Sequence, residues 1–523
     1  MELHPTRAAV DLAIAGIVGV AVGVATGQAA VVAWTGALLV GLTIARAVTR
    51  LSVSRVRAAG FEMLWKSEPR VRRVARGEVV ELEAEVRNRD TRAARYVSLR
   101  ATASPELTLS VDPSEGEVPA SGRLGVTIEI SASRVGRYGI HGLSLEVEGN
   151  PGLYEVPLTF ANPFGLEVLP RAFGLAMRSA RGGRSRMTAE AGRPGPLSGD
   201  GGELRELREH QTGDPFRRIA WKASARRGIL LVRDYEREER DIVWLLLDAS
   251  TEHWAGVSGQ APLDLAIDEV AAVAERHLAR GDRVGLAIVA SRVLAWLPPE
   301  RGPGHGIALM NALANQTGTL DADRSALDEV GVALRVLEHL RPLDPAATAE
   351  VRASELDRVV RRAERARERA PFPALSPWAA GRRERALRRY LSAFGIGSPP
   401  RAEPEQPRTD RRLAETLTRL RRERPTPSLI YLWSSPFDPS ARPDLARALA
   451  EQPRRGVTIG WIDMIPERGV PRHESPLAGI IADAVEVRAR AARTRGERAL
   501  RRLGVRVERL RARASEAGGP RGR

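Results

Sequence analysis

The sequence predicts a multidomain chain with an N-terminal transmembrane helical hairpin, a β-sandwich and an α/β doubly wound domain that carries a helical insertion. Three patterns in its 523 residues support this prediction. Residues 8–48 are almost continuously apolar, and residues 70–170 alternate apolar with polar side chains. After residue 241, short apolar strands alternate with amphipathic helices. A long apolar run is typical of membrane helices, and an alternation of apolar with polar residues is typical of strands. Strands that alternate with helices along the chain are typical of a parallel sheet.

The composition narrows the classes of function. The formal net charge is +16, and only two of the 81 basic residues are lysines, Lys66 and Lys222. This charge predicts attraction to anionic surfaces, either lipid or nucleic acid. Aromatic residues make up 4% of the chain, which argues against a large base-stacking surface. The sequence has no cysteine, so disulfides, cysteine-ligated zinc and thiol catalysis are excluded.

The first apolar region divides into two runs, 8–26 and 29–48, which meet at residues 26–28. About 20 residues span a bilayer as a helix, so each run is long enough. Arg7 precedes the pair, and its C-terminal end carries Arg46, Arg50, Arg55 and Arg57. This charge pattern predicts that both ends and the soluble domains face the cytoplasm from the inner membrane. A cleaved signal peptide and a buried core hairpin are the alternatives. The second run begins at once and neither run has a polar face, so the membrane hairpin is favoured.

The period-two region predicts a β-sandwich. The stretches VVELEAEV (79–86), GVTIEI (125–130) and LSLEVE (143–148) place apolar side chains on one face, and turn-forming residues separate them. This region shows no catalytic pattern, so a packing or docking role is expected.

The stretch GDPFRRIAWKASAR (213–226) concentrates polar and aromatic side chains. Aspartate as N-cap, Pro215 at the first helical position and Gly228 past the end predict one helix. Residues three and four apart share a face, which predicts a stripe of Asp214, Arg217, Trp221 and Ser224. A docked structural helix is the simpler interpretation, and a face that binds a partner or an anion is the functional one. The stripe has no general base, so catalysis is the weakest hypothesis. The candidate docking residues are Asp214, Arg217, Trp221, Ser224 and Arg226.

The segment DIVWLLLDAS (241–250) predicts a buried strand that ends in Asp248 and Ser250. Open α/β sheets bind ligands at the carboxyl ends of their strands, so these two residues are candidate ligand-binding residues. GDRVGLAIVA (281–290), SLIYLWSS (428–435) and GVTIGWIDM (456–464) predict further strands, and a long helix is expected at about 477–502.

Several motifs together resemble the family called domain of unknown function 58, which carries a von Willebrand factor A-like domain. They are Gly213-Asp214, Arg217, Ile219, Trp221 and Ser224-Ala225-Arg226, followed by LLVRDYEREE, LLLDAS and GDRVGL, with NPFGL (162–166) upstream. The resemblance implies a membrane-anchored accessory or scaffold protein that works with a MoxR-type AAA+ ATPase. The predicted boundaries are 1–60 for the hairpin and a basic juxtamembrane segment, 61–172 for the sandwich, 173–240 for a linker and the signature helix-strand region, 241–340 and 427–512 for the two parts of the von Willebrand factor A-like domain, 341–426 for an Arg-rich helical insertion, and 513–523 for a disordered tail.

A von Willebrand factor A domain binds Mg²⁺ through Asp-x-Ser-x-Ser with a threonine and an aspartate from other loops. Here Asp248 and Ser250 match that motif, but Glu252 replaces the second serine. The strand that ends in Ser434 lacks the expected aspartate, and Asp438 reaches the site only if its loop bends back. A functional metal site is therefore not expected, although Mg²⁺ stays an option. The alternative is that Asp248 and Ser250 cap a helix or bond loop amides.

The remaining motif searches point away from an enzyme. The sequence has no Gly-Lys-Ser/Thr phosphate loop, no HExxH zinc motif and no G-x-S-x-G nucleophile elbow. The leading hypothesis is a non-enzymatic membrane-anchored scaffold without a cofactor. Binding of nucleic acid or anionic lipid through the Arg-rich helices is the second hypothesis, and a metal-dependent adhesion-type receptor is the third.

Overall fold

The computed structural model describes residues 3–67, 69–149, 151–171, 193–239, 241–316, 319–343, 355–464 and 476–510. The chain forms two compact units. Unit 1 contains Met1–Leu169 and Ala314–Ala402, and unit 2 contains Pro170–Leu313 and Glu403–Arg523. The predicted insertion, residues 341–426, is therefore divided between the two units, and the predicted tail lies outside the described residues.

The elements are numbered in chain order. The α-helices are α1 Arg7–Thr26, α2 Ala29–Ala59, α3 Trp221–Arg227, α4 Pro262–Ala279, α5 Pro303–Ala314, α6 Glu329–Leu343, α7 Leu356–Ala366, α8 Arg382–Ala393, α9 Gln406–Leu420, α10 Pro443–Glu451 and α11 Pro476–Arg502. The strands are β1 His4–Pro5, β2 Phe61–Trp65, β3 Val71–Ala75, β4 Val79–Asn88, β5 Ala94–Ala103, β6 Leu107–Asp112, β7 Gly116–Val118, β8 Arg123–Ala132, β9 Gly136–Gly149, β10 Tyr154–Leu169, β11 Arg193–Glu209, β12 Leu231–Glu239, β13 Ile242–Asp248, β14 Arg283–Val289, β15 Val293–Glu300, β16 Leu429–Ser434, β17 Thr458–Asp463 and β18 Arg506–Arg509.

Helices α1 and α2 pair along their length in unit 1. Residues 7–26 and 29–51 are long and apolar enough to cross a membrane, judged by length and composition. Gly27 has φ 68° and makes the tight turn between the helices. A side chain at Gly19 would overlap Thr35 of α2, so this glycine permits the close approach of the two helices. The two predicted helices are confirmed, and their insertion and orientation stay predictions.

Two sheets form the sandwich that the period-two pattern predicts. One sheet has the order β1-β10-β9-β5-β7, with β3 paired to β10, and the other has the order β2-β4-β8-β6. Alternate side chains of both sheets fill one core, which includes Leu82, Ile128 and Leu145. At a bulge in β10, Asn162 donates its side-chain amide to the Met63 carbonyl over 3.1 Å. The NPFGL motif therefore ties β10 to β2 of the opposite sheet.

The base of the hairpin rests on the sandwich within unit 1. Strand β1 pairs antiparallel with the start of β10. The Tyr154 hydroxyl donates to the Leu42 carbonyl of α2 over 3.3 Å. Thr49 of α2 is fully buried, and a side chain at Gly149 of β9 would overlap it. The entry and exit of the hairpin are thus held by one edge of the first sheet.

Helices α6, α7 and α8 also belong to unit 1 and share a small core that includes Leu337, Val359 and Leu391. Arg388 of α8 is fully buried. Its guanidinium donates to the Glu384 carboxylate of the same helix and to the backbone carbonyls of Leu320 and Leu327, at 2.7–2.9 Å. The two carbonyls lie in the loop before α6. A buried charge with all its partners in place holds that loop to α8.

A chain of three buried polar side chains joins these helices to the sandwich. His141 lies on β9, His339 on α6 and Tyr390 on α8. His339 Nε2 shares a hydrogen bond with His141 Nδ1 over 2.8 Å, and His339 Nδ1 shares one with the Tyr390 hydroxyl over 2.7 Å. Burial lowers the pKa of His141 to about 4 and lowers the pKa of His339 well below its usual value. Both imidazoles are therefore neutral at pH 7.

Unit 2 is built on a six-stranded sheet with the order β15-β14-β13-β16-β17-β18. Every pair is parallel except β14 with β15, which is antiparallel. One face packs Trp244 and Leu246 against α9 and α10. On the other face, Trp433 Nε1 donates to Glu269 of α4 over 3.1 Å. The sheet thus has helices on both faces, and the predicted strands and the long helix α11 are confirmed. The likeness to a von Willebrand factor A domain stays a prediction.

Candidate functional site

Polar side chains meet at the carboxyl edge of the parallel sheet in unit 2. Asp248 ends β13, Ser434 ends β16 and Asp463 ends β17, and all three are fully buried. Strand β13 has β14 on one side and β16 on the other, so the strand order reverses there. Ligands of open α/β sheets bind at such a switch point. Helix α9 begins with Gln406 at the same edge.

Asp248 is the centre of the hydrogen-bond network at this edge. Its Oδ2 accepts from Ser434 Oγ at 2.6 Å, from Gln406 Nε2 at 2.8 Å and from His253 Nε2 at 3.3 Å. Its Oδ1 accepts the backbone N–H of Ser250 at 3.0 Å. The carboxylate thus accepts four hydrogen bonds, three at Oδ2 and one at Oδ1, which makes Oδ2 the more heavily engaged oxygen.

The network shifts the ionisation of the groups within it. Burial opposes the charge of Asp248, but the charge and the hydrogen bond of His253 outweigh burial and hold the Asp248 pKa below its usual range. Burial likewise opposes the charge of His253, and the Asp248 carboxylate raises the His253 pKa. Burial raises the pKa of Asp410 to about 6, although Arg442 donates to it over 2.9 Å. Perturbed groups of this kind occur at functional sites and also in structural ion-pair networks.

Glu405 fastens two loops at the same edge. One of its carboxylate oxygens accepts the backbone N–H of Thr251, and the other accepts that of Ser291, both at 2.9 Å. Thr251 lies in the loop after β13, and Ser291 lies in the loop after β14. The backbone N–H of Gln406 in turn donates to Glu252 over 2.7 Å. Glu405 and Gln406 therefore fill the crevice between the two loops.

The side chains at this edge do not fit the magnesium site that the family resemblance implies. Three of the four donors on Asp248 are side-chain N–H or O–H groups that converge on Oδ2, so a cation could bind that oxygen only by displacing them. Asp438 is exposed and accepts from the backbone N–H and the hydroxyl of Ser440, so it caps its own turn instead of reaching the site. Among the described residues, no group of three His, Cys, Asp or Glu side chains is placed to hold a metal ion.

Of the two predicted metal ligands, Ser250 is also engaged elsewhere. Its hydroxyl donates to Gln406 Oε1 over 3.0 Å. The alternative interpretation of Asp248 and Ser250, as groups that bond loop amides, matches the backbone N–H of Ser250 on Asp248.

The prediction of one helix across residues 214–227 is wrong. Phe216–Arg218 form a single 3₁₀ turn, and α3 begins only at Trp221. Ala220 between them has φ −85° and ψ 69°, which interrupts the helix. A β-bridge between Ile219 and Val232 and the bond from Ala220 N–H to the Leu231 carbonyl hold this break against β12. The stripe of four side chains therefore does not form.

The predicted docking residues have different environments. Asp214 accepts two bonds from the Arg208 guanidinium, at 2.7 and 2.8 Å, and one from the backbone N–H of Gln211. These bonds, Arg208 first, lower the pKa of Asp214 to about 2. Ser224 is buried, and its hydroxyl accepts the Leu231 N–H over 2.9 Å. Asp214 and Ser224 are thus structural, and Asp214 caps a turn instead of the predicted helix.

We call residues 207–230 the basic-aromatic segment, because this stretch exposes both aromatic and basic side chains. Phe216 is 75% exposed and Trp221 is 63% exposed. Arg217 and Arg226 are exposed as well. The segment contains six cations and two carboxylates, and one of the carboxylates, Asp214, is paired with Arg208 within the segment. Large exposed aromatics beside exposed arginines are typical of protein-binding surfaces.

Sequence reasoning missed Glu405, Gln406, His253 and Ser434 as members of the carboxyl-edge network. His253 lies five residues after Asp248, in the loop that follows the strand, and Ser434 ends a predicted strand. These two positions could have been inferred, because the carboxyl ends of parallel strands meet. Gln406 follows a proline-rich stretch far along the chain, and no local pattern marks it.

Comparison with known proteins agrees with the resemblance seen in the motifs. The family described as "Protein of unknown function DUF58" matches residues 206–366. Uncharacterized proteins of Mycobacterium bovis and Mycobacterium tuberculosis are each 28% identical to the chain over 120 residues, or 23% of this chain. The chain spans 38% of the length of these relatives.

The solved structures that match the chain are only distantly similar to it. A secreted serine protease of Vibrio cholerae, VesC, matches 23% of this chain and 25% of its own at 10% identity, with a TM-score of 0.17. A PapD-like domain of human CEP192 matches 21% of this chain and 85% of its own at 16% identity, also with a TM-score of 0.17.

Proposed function

We propose that this protein is a membrane-anchored, non-enzymatic scaffold that uses the basic-aromatic segment to bind an acidic protein surface. The expected partner is a MoxR-type AAA+ ATPase in the cytoplasm. The observation that carries the proposal is the exposure of Phe216 and Trp221 on a segment whose backbone is firmly held.

The exposure of these aromatics has an energetic cost that a partner would remove. Burying a large aromatic side chain contributes about 1.5–3 kcal/mol, so leaving two of them in water is unfavourable unless a ligand covers them. Tryptophan and arginine are also the residue types that most often dominate protein interfaces. Trp221 and Arg226 both lie on α3 and both are exposed.

The segment is pre-organised for binding. Ser224 and Ile219 anchor its two halves to β12, and Arg208 with Asp214 closes the turn that precedes Phe216. A surface that is already ordered loses less conformational entropy when it binds. Its excess of four positive charges favours an acidic partner and a fast, salt-dependent association.

The membrane anchor comes from α1 and α2. Their apolar stretches are long enough to span a bilayer, and the exposed side chains along them include Ile17, Val24, Trp34 and Ile44. Exposed apolar residues on two adjacent long helices are favourable in lipid and unfavourable in water. This supports the membrane anchor of the proposed scaffold.

A binding measurement with matched tryptophan variants tests the proposal. The full-length protein in detergent micelles is titrated with the purified MoxR-type ATPase of the same genome. Trp221→Ala is expected to weaken binding about 30-fold, which corresponds to about 2 kcal/mol for an interface hot spot. Trp378→Ala is the control, because Trp378 is 48% exposed but lies in unit 1, outside the segment. It should leave the affinity unchanged.

Two results would refute parts of this proposal. If the wild-type protein does not bind the ATPase at low salt, that partner is wrong. If Trp221→Ala and Arg226→Glu both bind as the wild type does, the segment is not the docking surface. Salt-dependent binding of duplex DNA that Arg226→Glu abolishes, without any ATPase binding, would favour the nucleic-acid hypothesis instead.

The metal-dependent receptor hypothesis has less support. It requires a cation with an open coordination position, and three side-chain donors already converge on Asp248 Oδ2.

A further inference from the structure

The carboxyl edge of unit 2 brings two carboxylates and a hydroxyl around one side-chain amide. Gln406 Nε2 donates to Asp248 Oδ2 over 2.8 Å and to Asp410 Oδ1 over 3.1 Å. Gln406 Oε1 accepts from Ser250 Oγ over 3.0 Å. Both amide hydrogens and the carbonyl oxygen therefore have partners, and all three partners are oxygen atoms.

The orientation of this amide follows from its surroundings. A flipped amide would place the carbonyl oxygen against two carboxylates, where nothing could donate to it. The amide N–H₂ group must therefore face Asp248 and Asp410. It is the positive end of the amide dipole, and it lies between two negatively charged groups.

Two carboxylates and a serine hydroxyl form the oxygen set that a hard divalent cation prefers. We propose that the side-chain amide of Gln406 takes the place of a divalent cation at this edge and joins Asp248, Ser250 and Asp410 by hydrogen bonds. The inference is independent of the proposed docking surface. It assigns to Gln406 a structural role in the place where the family resemblance implies a metal ion.

Two further features keep a cation out. Arg442 donates to Asp410 over 2.9 Å, so the second carboxylate already has a positive partner. Glu405 bonds the loops after β13 and β14, which keeps the crevice above Asp248 filled by residues of the same chain. Unit 2 is thus expected to fold, and to bind its protein partner, without added metal.

Exchanging the amide for a carboxylate tests this assignment. Gln406→Glu removes the N–H₂ donor and places a third carboxylate beside Asp248 and Asp410. We expect this variant to be less stable without metal and to gain saturable one-to-one Mn²⁺ binding, at least about tenfold tighter than any binding by the wild type. Mn²⁺ should also raise its melting temperature. Adding Asp248→Asn to this variant should abolish the gain.

The control is Gln406→Leu, which removes the same donor but adds no ligand. It should lower the melting temperature, and Mn²⁺ should not restore it. The measurements are Mn²⁺ electron paramagnetic resonance titration and thermal melting of the full-length protein in detergent micelles. Circular dichroism shows whether each variant is folded.

Two outcomes would overturn the inference. One is saturable one-to-one Mn²⁺ binding by the wild type at millimolar metal that Asp248→Asn abolishes, because the cation would then displace Gln406. The other is a folded Gln406→Glu variant that binds no Mn²⁺. If that variant does not fold, the titration of the wild type with its Asp248→Asn control still decides the question.

Discussion

Lowering the pH from 7 to 4 should release helices α6 and α8 from the sandwich in unit 1. The two histidines that join these elements, His141 and His339, are buried and neutral at pH 7. In the unfolded chain both titrate near 6.5. Between pH 6.5 and about 4, the unfolded state therefore binds more protons than the native state, and the free energy of unfolding falls as the pH falls.

The size of the effect follows from the pKa of His141. A shift from 6.5 to about 4 is equivalent to about 3 kcal/mol, lost progressively across that pH window at about 1.4 kcal/mol per pH unit. His339 adds a loss in the same direction, since its pKa is also lowered. Only one proton can be accommodated in the bond between the two rings, so charging both also breaks that bond.

The assay has to be local, because Asp410 in unit 2 acts in the opposite direction. Its pKa is raised to about 6, so protonation in the same pH window favours its folded state. Hydrogen exchange of the α6 amides, compared between proteins at the same pH, isolates unit 1. The comparison is between the wild type and the double variant His141→Phe/His339→Leu, both as full-length protein in micelles. The wild type should lose protection between pH 6.5 and 4, and the double variant should not. Equal pH dependence in the two proteins would refute the reasoning.

Three further predictions concern the packing of the hairpin helices, the buried Arg388 and the turn at Asp214. Gly19→Leu should separate the hairpin helices and lower the melting temperature in micelles, whereas Gly36→Leu, where a side chain would meet open space, should not. Arg388→Met should reduce the free energy of unfolding of unit 1 by about 3 kcal/mol, because it leaves the partly buried Glu384 carboxylate and two loop carbonyls without their donor, and Arg382→Met on the exposed side should change it little. Asp214→Asn should raise hydrogen exchange in the turn at residues 211–214 above pH 4, and wild-type exchange should approach that of the variant as the pH falls toward 2. Unchanged thermal stability, unfolding free energy or exchange, respectively, would contradict each one.

Much of the architecture could be predicted because local patterns and global fold agree. The apolar runs gave α1 and α2, period two gave the strands of both sandwich sheets, and apolar strands ending in polar residues marked β13 and β16. The exception is the segment at residues 214–227, where every helix boundary signal was present. There the pairing of Ile219 and Ala220 with β12 outweighs local propensity and breaks the helix. A contact between residues 219 and 232 leaves no periodic trace in the sequence.

The carboxyl edge shows why the ends of strands could be found from the sequence while their chemistry could not. The sequence around Asp248 and Ser250 fits a metal site and a hydrogen-bond network equally well, since both roles need buried oxygen atoms at a strand end. What separates the two roles is the identity of the group that faces them, and here that group is Gln406, 158 positions away in the chain. The Gln406 amide donates hydrogen bonds in the position where a cation would accept electron pairs. Gln406 therefore decides the role of Asp248 and Ser250, although no local sequence pattern connects it with them. The Gln406→Glu experiment is informative for that reason, because it changes only the facing group and leaves both candidate ligands in place.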